Sequence, residues 1–203
     1  MPKLTTPDQV NLNYTDIGSG RPIVMIHGWP LSGAAFADNA KVLAAAGYRV
    51  ITYDRRGFGQ SGKPRDGYDY DTLAADLDAL LTGLDLHDVV LLGFSMGGGE
   101  VARYLATRGS GRVSAAILSG SVCPALCITK DNPDGAMPRE GFQELADACA
   151  ADHSGFVDQF CGWFYSNDQG LAVPEEVRRC AVEIAQQSAP HAAVATILTW
   201  TED

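Results

Sequence analysis

Gly93-Phe94-Ser95-Met96-Gly97 is the stretch of this chain whose residue types and spacing best suit covalent chemistry. The apolar run "DVVLL" leads straight into it, and a helical pattern from Gly97 to Thr107 leads away. A serine on such a strand-to-helix turn exposes its hydroxyl only in a strained backbone conformation, and glycines two residues either side remove side chains that would collide. The helix then aims its first unpaired amides, and the positive end of its dipole, at the place where an oxyanion would form. Ser95 is therefore expected to be a nucleophile; the competing reading is a glycine-rich turn that only joins strand to helix. Acyl transfer needs two amides on the oxyanion, one from the residue after the nucleophile and one from an earlier loop. Met96 supplies the first, and Trp29, in "HGWP" directly after "PIVMI", supplies the second. His27 lies on that early loop and is expected to brace it rather than act as a base. The Trp29 indole suits either a pocket wall or the core.

These residues need elements to hold them. Strand-like runs follow in order as "VNLNYTDI", "PIVMI", "YRVITY", "DVVLLG" and "RVSAAIL", several of them continuous apolar stretches of the kind buried on both faces. Between them the spacing predicts helices, most clearly through Tyr70, Leu73, Ala74, Leu77, Leu80, Leu81 and Leu84, with Asp71, Asp76 and Asp78 on the wet face. The stretches Ala34–Ala46 and Gly97–Thr107 read likewise. Alternation of strand and helix implies an α/β fold with a mostly parallel sheet covered on both sides. After Val122 the texture changes to a turn-rich connection and then to helical patterns without a convincing strand, one of them a stripe through Val177, Cys180, Ala181, Ile184 and Ala185 ended by Pro190. The expected division is 1–122 for the core and 123–203 for a helical cap. "YDRRGFGQS", Tyr53 to Ser61, follows a strand and is expected to be a turn pinned by Asp54 and its two arginines more than a set of reactive groups.

Fifteen bases against 25 acids give a net charge of −10, which repels nucleic acid and favours a small neutral or modestly polar ligand. No apolar run approaches the roughly 20 residues of a membrane span, and "MPKLTTPDQV" has no signal-peptide core, so a soluble cytoplasmic protein is expected. The five cysteines, odd in number, fit a reduced compartment; Cys123 and Cys127 lack a second ligand pair, so no metal is expected. "DNPDG" at Asp131–Gly135 reads as turn chemistry rather than half a calcium loop.

Taken together, "HGWP", "DRRGFGQS" and "GFSMGGGE", in this order and at these separations, resemble the α/β-hydrolase fold. Within it the opening residues and the cap entry "SVCPALCITKDNPDG" are similar to the cofactor-free haloperoxidases, or non-haem chloroperoxidases, and their arylesterase and perhydrolase relatives. The resemblance implies serine-dependent hydrolysis of carboxylic esters and admits perhydrolysis with hydrogen peroxide, with no cofactor; it leaves a homo-oligomer open. A serine at position 95 sets the chain apart from epoxide hydrolases and haloalkane dehalogenases, which place aspartate there.

The mechanism further requires a carboxylate and then a histidine after the serine. In the resembled family both follow strands beyond the cap, whereas this sequence stops at "LTWTED". After Ser95 the only histidines are His153 and His191, neither following a strand, and Asp203 precedes the place of the family's acid; none is assigned. The expectation is a C-terminally truncated chain, lacking the triad acid and histidine and the last strands and helix, with an open strand edge and an uncovered apolar sheet face. A non-catalytic small-ligand module on the same fold is the alternative. A nucleotide-binding fold ranks last, because the glycines after "DVVLLG" do not form G-x-G-x-x-G.

Overall fold

The computed structural model describes residues 2–123 and 125–201. Its main sheet has six strands: β1 (Lys3–Thr5), β2 (Asn11–Gly18), β3 (Pro22–Ile26), β4 (Arg49–Tyr53), β5 (Val89–Phe94) and β6 (Val113–Ser119). They lie in the order β1-β2-β4-β3-β5-β6. β3 is parallel to both β4 and β5, and β5 to β6; β2 runs antiparallel to β4, and the short β1 antiparallel to β2. The apolar runs of the sequence are thus the central strands, as expected. β1 was not visible as a strand, since its three residues are too short to show alternation.

Helices cover both faces. α1 (Ala37–Ala45), entered through a 3₁₀ turn at Gly33–Phe36, packs Ala40 and Leu43 on one side with Ile23, Met25 and Val50. On the other side α2 (Tyr70–Gly83) and α3 (Met96–Arg108) bury Leu77, Leu80, Leu81 and Val101 against Val24, Ile26, Ile51 and Leu91. α2 starts where Asp69 accepts a bond from the Thr72 amide, 2.8 Å, a helix cap that the apolar spacing alone does not reveal. β6 is the far edge of the sheet, and its Ile117 and Leu118 are 47% and 50% exposed. An open, apolar edge is what the sequence led us to expect.

Beyond β6 come α4 (Arg139–Ala151), α5 (His153–Phe164), a two-residue-stranded hairpin β7 (Ser166–Asn167) and β8 (Gly170–Leu171), α6 (Glu175–Ala185) and α7 (Pro190–Thr199). The hairpin corrects the expectation of no strand in this region. Pro190 does not end the preceding helix: α6 stops at Ala185, and Pro190 opens α7 at its first turn, where a missing N–H costs nothing. These helices do not keep a core to themselves. Ala146, Cys149, Ala192 and Ile197 share one apolar cluster with Trp29, Phe58, Tyr68 and Met96, which places them over the end of the sheet where Ser95 sits. No helix among the described residues is long and apolar enough to cross a membrane.

Candidate active site

Ser95 occupies the single residue between β5 and α3, at φ 52° and ψ −119°. A non-glycine residue held there stores about 1–3 kcal/mol of strain. Its neighbours over-determine it: the Ser95 amide donates to the Ser119 carbonyl at 3.0 Å, and its own carbonyl accepts from Gly98 at 2.9 Å and Val122 at 3.3 Å. The flanking glycines are required by close approach. A Cβ on Gly93 would lie 2.4 Å from the Gly97 carbonyl oxygen, and one on Gly97 would lie 2.4 Å from that of Ile26. The result is a half-buried serine whose hydroxyl has no hydrogen-bond partner among the described residues.

The early loop arrives at the same point. A Cβ on Gly28 would stand 3.0 Å from the Ser95 Cβ, so "HGWP" lies directly against the serine. The next amide along is that of Trp29. Neither it nor the Met96 amide, the first of α3, has an acceptor among the described residues. The indole of Trp29 is buried: its ring meets Phe160 and Trp200 edge-on at 4.8 and 5.3 Å, and its Nε1 donates to the Ala193 carbonyl at 3.1 Å. Between pocket wall and core, the indole belongs to the core and fixes the loop beneath α5 and α7.

His27 braces this loop. Its Nε2 accepts from the Arg55 amide at 3.0 Å, which leaves Nδ1 to donate to the Gly28 carbonyl at 2.9 Å. Burial, then the charge of Arg55, holds its pKa well below the ordinary histidine value, so the ring is neutral with both nitrogens engaged. Arg55 in turn donates from Nη2 to the His27 carbonyl at 2.8 Å and from Nε to Glu100 at 2.9 Å, and the Tyr53 hydroxyl donates to the other Glu100 oxygen. Burial pulls Arg55 down to about 10 and lifts the Glu100 carboxyl well above its usual range. The rest of "DRRGFGQS" is equally structural. Asp54 accepts from the Gly33 and Gln60 amides at 2.9 and 2.8 Å and from the Asn13 side chain at 2.9 Å, while Arg56 forks onto Asp76 at 2.7 and 2.6 Å. Sequence reasoning missed Glu100; the signal available was a carboxylate in the helix right behind the glycines, on the buried side with Val101 and Tyr104.

The later histidines are occupied elsewhere. His153 Nε2 lies 3.0 Å from Ser188 Oγ, and His191 Nε2 lies 2.7 Å from the Pro64 carbonyl with its ring edge-on to Tyr68. Asp203 lies outside the described residues. The "DNPDG" segment is a turn in which the Asn132 side chain donates to the carbonyls of Ala125 and Cys127 at 3.0 and 2.9 Å. Among the described residues there is no group of three or more His, Cys, Asp or Glu placed to hold a metal.

Known proteins resemble this chain in sequence and in fold. The family described as "alpha/beta hydrolase fold" matches residues 21–190. A non-heme chloroperoxidase of Kitasatospora aureofaciens is 47% identical over 176 residues, covering 86% of this chain and 64% of that protein. The crystal structure of a bromoperoxidase from Bacillus anthracis superposes with a TM-score of 0.94 at 39% identity, covering all of this chain and 74% of the other. An esterase from Exiguobacterium antarcticum follows at TM-score 0.92 and 31% identity, covering 99% and 73%. The chain therefore spans about two thirds to three quarters of the length of these proteins, and with this fold, this strained serine and these matches it belongs to the α/β-hydrolase fold family.

Proposed function

We propose that this chain carries the nucleophile and oxyanion hole of a serine hydrolase acting on small carboxylic esters. Ser95 Oγ attacks the ester carbonyl, the amides of Trp29 and Met96 take the developing oxyanion, and the alcohol leaves to give an acyl-enzyme. Water then releases the acid. Hydrogen peroxide attacking the same acyl-enzyme releases a peracid, and the peracid oxidises halide; this second outcome accords with the relatives named for chloroperoxidase and bromoperoxidase activity. No step uses a cofactor. The observation that carries the reading is a serine at φ 52° whose hydroxyl has no partner among the described residues, set against two amides without acceptors among them. We assign 1–122 to the core that presents the site and 123–203 to the cap over it.

Among the described residues no base or orienting acid is bonded to the Ser95 hydroxyl: His27, His153 and His191 are each committed to other partners, and His87 lies 3.0 Å from Asp85. In a serine hydrolase the loss of the triad histidine costs on the order of 10⁶ in turnover, about 8 kcal/mol of barrier. Because this chain spans only 64% and 74% of two of its relatives, we propose that these two groups come from sequence outside the described residues. The test compares labelling by a serine-directed phosphonate and hydrolysis of a small aryl acetate, in this chain and in one extended by its downstream coding sequence, each with and without Ser95→Ala. Turnover in the extended chain alone, abolished by Ser95→Ala, is the expected result. Hydrolysis that survives the substitution removes Ser95 from the mechanism. That no base among the described residues is bonded to Ser95 favours one other reading, a non-catalytic ligand module; it predicts that neither chain turns over ester and that Ser95→Ala leaves ligand affinity unchanged.

A further inference from the structure

On the α1 side of the sheet, behind the Trp29 loop, lies a cleft of about 540 Å³. Alternate residues of β2, Asn13, Thr15 and Ile17, form its floor with Thr52 of β4, and the start of α1 forms a wall. The floor holds more donors than the fold consumes. Thr15 and Thr52 are register partners with hydroxyls 2.8 Å apart; one proton makes that bond, and the other has no acceptor among the described residues. Ser32 accepts a bond from the Ala34 amide at 3.3 Å, and its own O–H has no acceptor among the described residues either. Thr52 is 3% exposed and Ser32 2%, and both line the cleft, so an oxygen entering it would meet donors that the fold holds in fixed positions.

The surroundings narrow what could fill this space. Ile17, Ala34, Ala37 and Ala40 give short apolar walls. The rim cation, Lys41, pairs with Asp38 at 2.8 Å, Asp54 lies in the floor, and the chain carries a charge of −10, so nothing here recruits an anion. We infer that the cleft is a binding site for a small uncharged molecule bearing a carbonyl or ether oxygen on a short aliphatic body, its oxygen taking the spare protons of the Thr15–Thr52 pair and Ser32. Ser32 and Gly33 continue the Trp29 loop, and Gln187 at the mouth accepts from Gln60 at 3.0 Å, two residues before Ala189, whose amide donates to the Gly57 carbonyl at 2.8 Å. An occupant therefore touches both the loop beside Ser95 and the cap. None of the lining residues lies on α3 or at its entry, so the inference does not rest on serine chemistry.

The test is a titration of the ¹⁵N-labelled chain with 2-butanone, followed by amide shifts. Saturable shifts are expected at Thr15, Gly33 and Thr52, reaching the Trp29 amide. Thr52→Val, which removes one hydroxyl without changing shape, should weaken binding about fivefold, the worth of one hydrogen bond. Ala37→Phe, at an exposed position on the first turn of α1, should fill the cleft and abolish the shifts while leaving the thermal midpoint unchanged. Ser95→Ala should titrate like the parent. Absence of saturation, an unaltered titration in Ala37→Phe, equal binding of sodium propionate, or loss of binding in Ser95→Ala would each overturn the assignment.

Discussion

Glu100→Ala should be among the most damaging single changes in this protein, although Glu100 plays no part in the proposed chemistry. Glu100 is fully buried and Arg55 has 1% of its side chain exposed, with 2.9 Å between Nε and the carboxylate. Truncation leaves a guanidinium buried without its counter-charge and the Tyr53 hydroxyl without its acceptor. Breaking a buried pair in this way costs about 3–5 kcal/mol, a large part of the roughly 5–15 kcal/mol that holds a domain together. Removing both charges is a different matter, because desolvation of the pair is removed with them. Arg55→Met combined with Glu100→Leu should recover at least half of the single-variant loss, the remainder reflecting the bond from Arg55 Nη2 to the His27 carbonyl. Urea unfolding checks this: the single variant should lower the midpoint by about 1–2 M at an unchanged slope, and a double-mutant cycle should return a coupling of several kcal/mol. A single-variant loss below about 1 kcal/mol, or a coupling near zero, would refute the claim that one buried pair ties these segments together.

Other consequences are more local. His27 is neutral in the fold because burial depresses its pKa, while the unfolded chain protonates near pH 6.5; its contribution is complete above that value and lost as pH falls, at up to about 1.4 kcal/mol per unit. Stability measured from pH 6.5 down to 5 should therefore drop, less steeply in His27→Asn, and equal slopes would count against the neutral brace. Ser95→Gly should raise stability by about 1 kcal/mol by relieving the φ of 52°, whereas Ser95→Ala, which keeps the strain, should not; equal midpoints in thermal unfolding would show that the turn stores nothing. Leu118→Lys on the exposed edge strand should reduce self-association of the 203-residue chain in size-exclusion chromatography, and an unchanged elution would clear β6 of blame.

What the sequence made legible follows the range of the forces involved. The central strands and the helices through Leu77 and Val101 were visible because their apolar spacing is a local record of two-sided burial. The turn at Ser95 was visible because strain and close approach admit only glycine at Gly93 and Gly97. Short elements were not: β1, β7 and β8 are two or three residues long and carry no period, and Pro190 obeys the same steric rule whether it follows a helix or opens one. The cleft under α1 was invisible for another reason. Thr15 and Thr52 are 37 residues apart and meet only through strand register.

The same contrast explains why three separated motifs announced one site. His27, Arg55 and Glu100 belong to "HGWP", "DRRGFGQS" and "GFSMGGGE" respectively, and the fold brings them into one buried cluster under the serine. Arg55 holds the loop whose Gly28 touches Ser95, and Glu100, on the helix that begins one residue after Ser95, holds Arg55. Arg55 bonds to both of the others, whereas His27 and Glu100 each reach, of the other two, only Arg55, so the arginine ties the three motifs together. The base and acid of the proposed mechanism would need no such tie within these motifs, since the proposal places them outside the cluster. The cluster can therefore set the serine and the amides of Trp29 and Met96 in place while the hydroxyl itself has no partner among the described residues.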